Sequence, residues 1–447
     1  MSIKGSVVRT LCSGIAILVA LLLLNIGVHR LRGPSADQER AIAKFNELNA
    51  HAPKEGNAFP LIWLMRYDVD DASIESLAAD DVRRAYAMSA LGEGLSDLIP
   101  KDRAPLAMPP ADSPGLCDVS GSPCLQRVAE NPEATRELVA SYPRILQRAH
   151  VLETKSTLRN EFPYSVYAPI PDPGRAQHLR LSELALSWHD GNHNEAIVGV
   201  CRNAASWRRL RHDSNGLVFT MLAGTYLDSA TRLFAEMLAE LPKDEVLPED
   251  CRTAFAPVAH GDVSLCGAMA GEWAMGHDAL HAVYAPKSES PARRVFSRLW
   301  LSLVYSAEQT AATRAEEDDQ LYCSEEAAQL ATQDRILERE TVSISIPECL
   351  ANAMGCILRV PKQMKGYDAY ARRQLDTAAH LRLAATLIWL RDTQGNARTL
   401  ADRFAERPQN QRSGDRATGI SDDGKSLWVE NLDADREARF TLKLLAN

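Results

Sequence analysis

The chain has 447 residues, is 45% hydrophobic and 24% charged, and carries a formal net charge of −9 with a pI near 5.7. That length can bury a large core in two or three domains, and the composition excludes a disordered chain. The acidic balance argues against a nucleic-acid partner, whose phosphates demand a dense cationic face; the basic run Trp207–His212 ("WRRLRH") reads as a solvated helix surface.

The N-terminus carries the strongest single feature. From Thr10 to Val28 the chain has no charge, and Asn25 is its one strongly polar side chain. As a helix this run is roughly 28 Å long, close to the hydrocarbon thickness of a bilayer. Lys4 and Arg9 precede it, and "HRLRGPSADQ" after it lacks a small-x-small cleavage site. The pattern predicts an uncleaved signal anchor, a transmembrane helix that binds the lipid bilayer through Thr10 to Val28. Basic residues on its two sides (Lys4 and Arg9 against Arg30 and Arg32) nearly balance, so charge alone does not set orientation.

Beyond the anchor, "SADQERAIAKFNELNAH" predicts a helix with Ser35 as its N-cap. A loop-rich region follows to Pro173, holding "AFPLIWLM", two proline clusters and several helical pieces. One of these opens on Asn131–Pro132, a cap and first-turn pair. The middle of the chain is more regular. Leu181, Leu184, Ala185 and Trp188 recur at helical spacing, as do Ile197, Val200, Cys201, Ala204 and Trp207. A third stripe is Ala230, Leu233, Phe234, Met237, Leu238 and Leu241. Short connectors predict antiparallel helix pairs. Phe296, Leu299, Trp300 and Leu303 share a further helical face, and "TVSISIPEC" alternates as a short strand would. The tail, Lys425–Glu430 and Ala438–Leu444, alternates on both sides of "NLDADRE" and predicts a β-hairpin. Leu427, Val429, Phe440, Leu442 and Leu444 would dock it on the helices.

Apart from Cys12 the cysteines are even in number, and two close pairs, Cys117/Cys124 and Cys349/Cys356, suit disulfides in an oxidising compartment. Cys251 and Cys266 form a further candidate pair. Cys201 falls on an apolar helix face, where a buried thiol and a bridge both fit. The anchor and the cysteines together place the body in a periplasm-like space, on the inner membrane as a single-pass protein.

The stretch "ALSWHDGNHNEAIVGVCRNA", with Ala185, Gly191 and Ala196 at the matching positions, resembles a tetratricopeptide-type helical hairpin. Three landmarks in order, "WRRLRHDSNGLVFTMLA", "NAMGCIL" and the paired-helix stretch "YDAYARRQLDTAAHLRLAATLIWLRD", resemble uncharacterised bacterial envelope proteins with a signal anchor and an all-helical body. That resemblance spans Arg175 to Asp392 and implies fold and location but no activity. The expected fold class is therefore all-α: an irregular, tetratricopeptide-like (TPR-like) helical-hairpin array with an N-terminal transmembrane helix and a small C-terminal β-hairpin. Its expected divisions are an anchor (1–32), a helical and loop-rich region (33–173) and a helical-hairpin body (174–447).

Chemistry is sparse. In "HDALH", His277 and His281 lie four apart, the spacing by which two imidazoles on one helix face bind zinc. Asp278 stands where a zinc protease carries Glu, and its carboxylate is one methylene too short for that task. A third ligand is also needed: Glu272, five residues before His277, lies about 140° away around a helix, Glu308 is conceivable though nothing marks it out, and Gly276 and Pro286 bound the helix to two or three turns. "HDGNH" (His189–His193) reads as a helix–helix turn broken by Gly191. The acidic runs "LPKDEVLPED" and "AEEDDQ" read as solvated surface. There is no nucleophile elbow, P-loop, dinucleotide fingerprint or calcium loop. These features favour a non-enzymatic, membrane-tethered scaffold that binds an envelope protein or peptide and needs no cofactor. The alternative is a metal-dependent hydrolase that uses zinc on His277 and His281.

Overall fold

The structure is a computed structural model that describes residues 3–50, 55–91, 94–118, 123–282, 295, 301–338, 346–358, 365–393 and 398–444. It is mostly helical, with one small antiparallel sheet near the C-terminus. The helix α1 spans Ile3–Arg32 and α2 spans Ala36–Ala50. Between them Gly33 adopts φ +65, which turns the chain. Ser35 caps α2 as expected: its Oγ accepts from the Gln38 N–H at 3.2 Å while the Gln38 side chain accepts from the Ser35 N–H at 3.0 Å. Among the described residues no helix is long and apolar enough to cross a membrane.

Next come α3 (Phe59–Leu64), α4 (Ile74–Ala90), α5 (Cys124–Glu130), α6 (Pro132–Ser141) and α7 (Pro143–Leu152). Pro132 and Pro143 each open a helix where the missing N–H costs nothing. The pair α8 (Gly174–His189) and α9 (His193–His212) forms the expected hairpin, and Gly191 turns it at φ +88. It is followed by α10 (Leu217–Glu240), which is buried along most of its length because α8, α9, α5 and later elements pack around it. Then come α11 (Glu249–Ala254), α12 (His260–Val263), α13 (Cys266–Ala282), α14 (Ala307–Asp318) and α15 (Glu325–Thr332). The short pair α16 (Ile346–Ala351) and α17 (Ala353–Leu358) precedes α18 (Lys365–Asp392) and α19 (Leu400–Ala405). The stretch read as paired helices is a single helix, α18, because nothing between Tyr367 and Asp392 breaks its hydrogen bonding. It packs along α10, so distant parts of the chain interleave and one cluster of buried side chains runs from Ala58 to Leu444.

The tail exceeds the expected hairpin by one strand. Strands β1 (Thr418–Ile420), β2 (Ser426–Glu430) and β3 (Arg439–Lys443) pair antiparallel in that order. Leu427, Val429, Phe440, Leu442 and Leu444 are all buried, against α10 and α18. On α18, His380 lies flat on Phe440 at 3.6 Å between ring centroids. Its Nδ1 meets Asp228 of α10 at 2.8 Å and its Nε2 meets Asn431 at 2.9 Å, so one imidazole ties two helices to the sheet. Asp376 of α18 accepts the N–H groups of Leu432 and Asp433 and pairs with buried Arg416, which also pairs with Asp334.

The basic run Trp207–His212 is not a solvated face. Arg208 and Arg211 are buried, because α8, α10, α11 and α12 enclose α9. Arg208 grips Asp262 with two bonds (2.8 and 2.6 Å) and donates to the carbonyls of Ala254, Ala256 and Pro257. His212 meets Asp262 at 2.6 Å. Burial alone would raise the Asp262 carboxyl, but these bonds from His212 and Arg208 hold it well below the ordinary carboxylate range. The acidic run at 315–320 is likewise not all surface, since Asp318 is fully buried near Arg314.

All eight cysteines outside α1 are bridged. Cys117–Cys124 and Cys349–Cys356 form as expected. The expected partnership of Cys251 with Cys266 does not: Cys251 bridges Cys201, and Cys266 bridges Cys323. The reason is packing, because α11 lies against α9 while α13 lies against α14 and the turn that follows it. The helical face proposed for Phe296, Leu299 and Trp300 lies outside the described residues, as does the alternating part of "TVSISIPEC" before Ile346, from which point the chain is helical.

Candidate peptide-binding groove

An open concave surface is built by α3 and the segments that wrap it. All six residues of α3 are buried. The carbonyls that follow its last turn are gathered by Arg148 of α7, itself buried. That guanidinium donates to the carbonyls of Leu64, Met65, Tyr67 and Val69 and pairs with Asp71 at 2.7 Å. The chain leaves α3 extended and pairs with the proline-rich segment around Pro105: the Asp68 N–H donates to Ala104 O at 2.8 Å and the Leu106 N–H to Arg66 O at 2.7 Å.

Beneath them Asp81 of α4, buried, fixes two lining side chains at once. It accepts the Trp63 indole N–H at 2.8 Å and both arms of Arg103 at 2.6 and 3.0 Å. Phe162 supports the floor edge-on to Phe59 and Trp63, with centroids 4.9 and 4.8 Å away. The opposite wall is Pro169–Asp172. Asp172 accepts from the Gly174 N–H at 2.8 Å and from the Tyr226 hydroxyl at 2.5 Å, which anchors the loop to the start of α8. Burial and that bond push the Tyr226 hydroxyl far above its ordinary range. Arg175 closes the frame by donating to Pro109 O at 3.1 Å.

The result is an open groove of about 790 Å³, within the range of about 300–1,000 Å³ typical of ligand sites. Trp63, Tyr67, Met65, Met108 and several prolines line it, with Arg66, Arg103 and Arg175 against a single acid, Asp172. Burial raises the Tyr67 hydroxyl. Arg103 is committed to Asp81, whereas the exposed Arg66 guanidinium has no hydrogen-bond or ion-pair partner among the described residues. Past Pro169 and Ile170 the surface continues into a second hollow of about 110 Å³. Apolar side chains stand exposed along both, including Ile99 at 51%, Val166 at 57% and Ile170 at 57%. The arrangement can take an extended apolar ligand with an anionic group beside Arg66.

None of this was singled out in the sequence. The two proline clusters and "FPLIWLM" were legible as irregular, but that they are opposite walls of one groove depends on contacts between segments far apart in the chain.

The sequence-predicted metal pair lies elsewhere, on α13. His277 meets Asp278 at 3.3 Å and tilts against Trp273 at 5.4 Å, and the side chain of His281 lies outside the described residues. Glu272 is turned away to the Tyr367 hydroxyl at 3.3 Å, and burial raises its carboxyl. Glu308 is exposed in the first turn of α14. No group of three or more His, Cys, Asp or Glu with metal-site geometry occurs among the described residues. Gly276 does not bound the helix: α13 passes through it, with Arg314 against its open side. "HDGNH" is the turn it was read as, with Asp190 closing α8 and His193 opening α9 and stacked on Trp188 at 4.4 Å. No protein-family model, no curated protein and no solved structure matches the chain.

Proposed function

We propose that this protein is a membrane-tethered helical binding protein that holds an extended segment of another envelope protein, without catalysis. The groove between α3 and the Pro169–Asp172 wall carries the reading, because it is pre-formed, lined by aromatic, methionine and proline side chains, and holds the Arg66 guanidinium, which has no partner among the described residues. A locally basic groove on a chain of net charge −9 favours a partner segment that pairs apolar side chains with a carboxylate. We place the tether in α1 on the strength of its sequence, which carries no charge from Thr10 to Val28. Along α1 the side chains of Ile15 and Ile17 through Leu24 stand exposed around the helix, as a lipid-facing segment requires. Four disulfides favour an oxidising compartment for the body, such as the periplasm. In this reading the tetratricopeptide-like resemblance is confined to the α8–α9 hairpin, whose first helix meets the groove at Arg175.

The test is a photoreactive residue at Ile99 in the full-length chain in native membranes. It should capture one protein partner, and Arg66→Glu should reduce capture by roughly tenfold or more, since a hydrogen bond to a charged group contributes about 1.5–3 kcal/mol. Equal capture from exposed Val246, remote from the groove, or indifference to Arg66→Glu would overturn the proposal.

A further inference from the structure

The α16–α17 hairpin is an unusual object in a folded body. Each helix has six residues, too few to be stable alone, and both expose large apolar side chains: Ile346 at 73%, Leu350 at 52%, Ile357 at 66% and Leu358. The hairpin is nonetheless held firmly. Cys349–Cys356 joins its two helices. At its corner buried Asn352 accepts from the Ser306 N–H at 2.9 Å and donates to Thr310 Oγ1 at 2.9 Å, which pins it to the start of α14. Gly355 is required there, because a Cβ would collide with Asn352 and Thr310.

Its neighbour on the other side is α1. The two helices pack together, Ile26 of α1 is buried, and the Asn25 side chain donates to Pro347 O at 2.8 Å. The one strongly polar side chain in the uncharged run is thus satisfied by the first turn of α16. Asn25 lies three residues before Val28, about 4.5 Å along the axis from the body-side end of that run. An apolar face at that depth lies where interfacial helices insert, roughly 5–10 Å into the headgroup–acyl boundary. It is also continuous with the exposed apolar surface of α1.

We infer that the disulfide-clamped α16–α17 hairpin is a second membrane contact, which buries Ile346, Leu350, Ile357 and Leu358 in the body-side leaflet and so fixes how the body sits on the bilayer. The inference rests on the reading of α1 as a membrane span. Clamping suits the role, because two six-residue helices would otherwise lose their shape when leaving water for lipid.

A genetically encoded diazirine amino acid placed singly at Leu21, Ile346, Ile357 and Val246 of the full-length chain in phospholipid proteoliposomes, with adducts read by mass spectrometry, tests this. Phospholipid adducts are expected at 21, 346 and 357 and not at 246. Adducts at 21 but none at 346 and 357 would overturn the hairpin and leave the tether standing. Adducts from 346 or 357 to a second copy of this chain would replace the lipid with a self-association surface and also overturn it. No lipid adduct at 21 would remove the tether, and the inference with it.

Discussion

The Cys201–Cys251 bridge should stabilise the fold more than either seven-residue bridge. Its cysteines are 50 residues apart, against seven for Cys117–Cys124 and Cys349–Cys356. On the chain-entropy account, closing the longer loop restricts the unfolded ensemble by about 4 kcal/mol and the shorter ones by about 2.5 kcal/mol. Both sulfurs are fully buried, so replacement by alanine pairs adds a small cavity cost in the same direction. Urea unfolding of the detergent-solubilised chain, followed by circular dichroism, should therefore rank Cys201→Ala/Cys251→Ala below Cys349→Ala/Cys356→Ala by about 1.5 kcal/mol or more. Thiol titration of the unreduced, denatured chain should find one free thiol, since four bridges occupy eight of its nine cysteines. Equal losses in the two double variants would refute the loop-length reasoning. A peptide map linking Cys251 to Cys266 would refute the packing of α11 on α9.

Asp262→Asn keeps the size of the side chain but strips the countercharge from buried Arg208 and weakens the contact to His212, and should cost about 3–5 kcal/mol in thermal or urea unfolding; a loss below about 1 kcal/mol would show that the carbonyls around Arg208 suffice. Gly271→Ala should destabilise by about 1–3 kcal/mol, because a Cβ would run into the Asn215 carbonyl. Gly276→Ala meets the Arg314 guanidinium at 3.1 Å and no backbone atom, so its melting temperature should fall less than that of Gly271→Ala. Burial lowers the pKa of His178, whose Nε2 has no hydrogen-bond partner among the described residues, so the folded state favours the neutral ring. Its contribution is complete above the unfolded pKa of about 6.5 and is lost as pH falls through the lower folded value. Acidification from neutrality should therefore weaken the parent more than His178→Gln, and identical pH–stability curves would count against that assignment.

Local signals in the sequence were decisive wherever the structure depends on neighbouring residues. The Ser35 cap, the Asn131–Pro132 helix start, the Gly191 turn and the alternation of the tail are all set within a few residues. The two seven-residue disulfides belong with them, since a short loop leaves each cysteine few partners. Other features depended on which helix met which. Cys201 and Cys251 pair because α11 crosses α9, and the basic run on α9 is buried because four helices surround it. A charge pattern alone cannot separate a wetted arginine from one whose countercharge, Asp262, arrives from α12. The groove is the extreme case. Its floor joins α3 and α4, and its walls are proline segments whose members are remote in sequence, held at working distance by Arg148, Asp81 and Asp172. Sequence thus determined where helices start, turn and end, because those choices are short-range. Tertiary structure decided which charges are buried and where a partner can sit, because burial is a property of several segments at once.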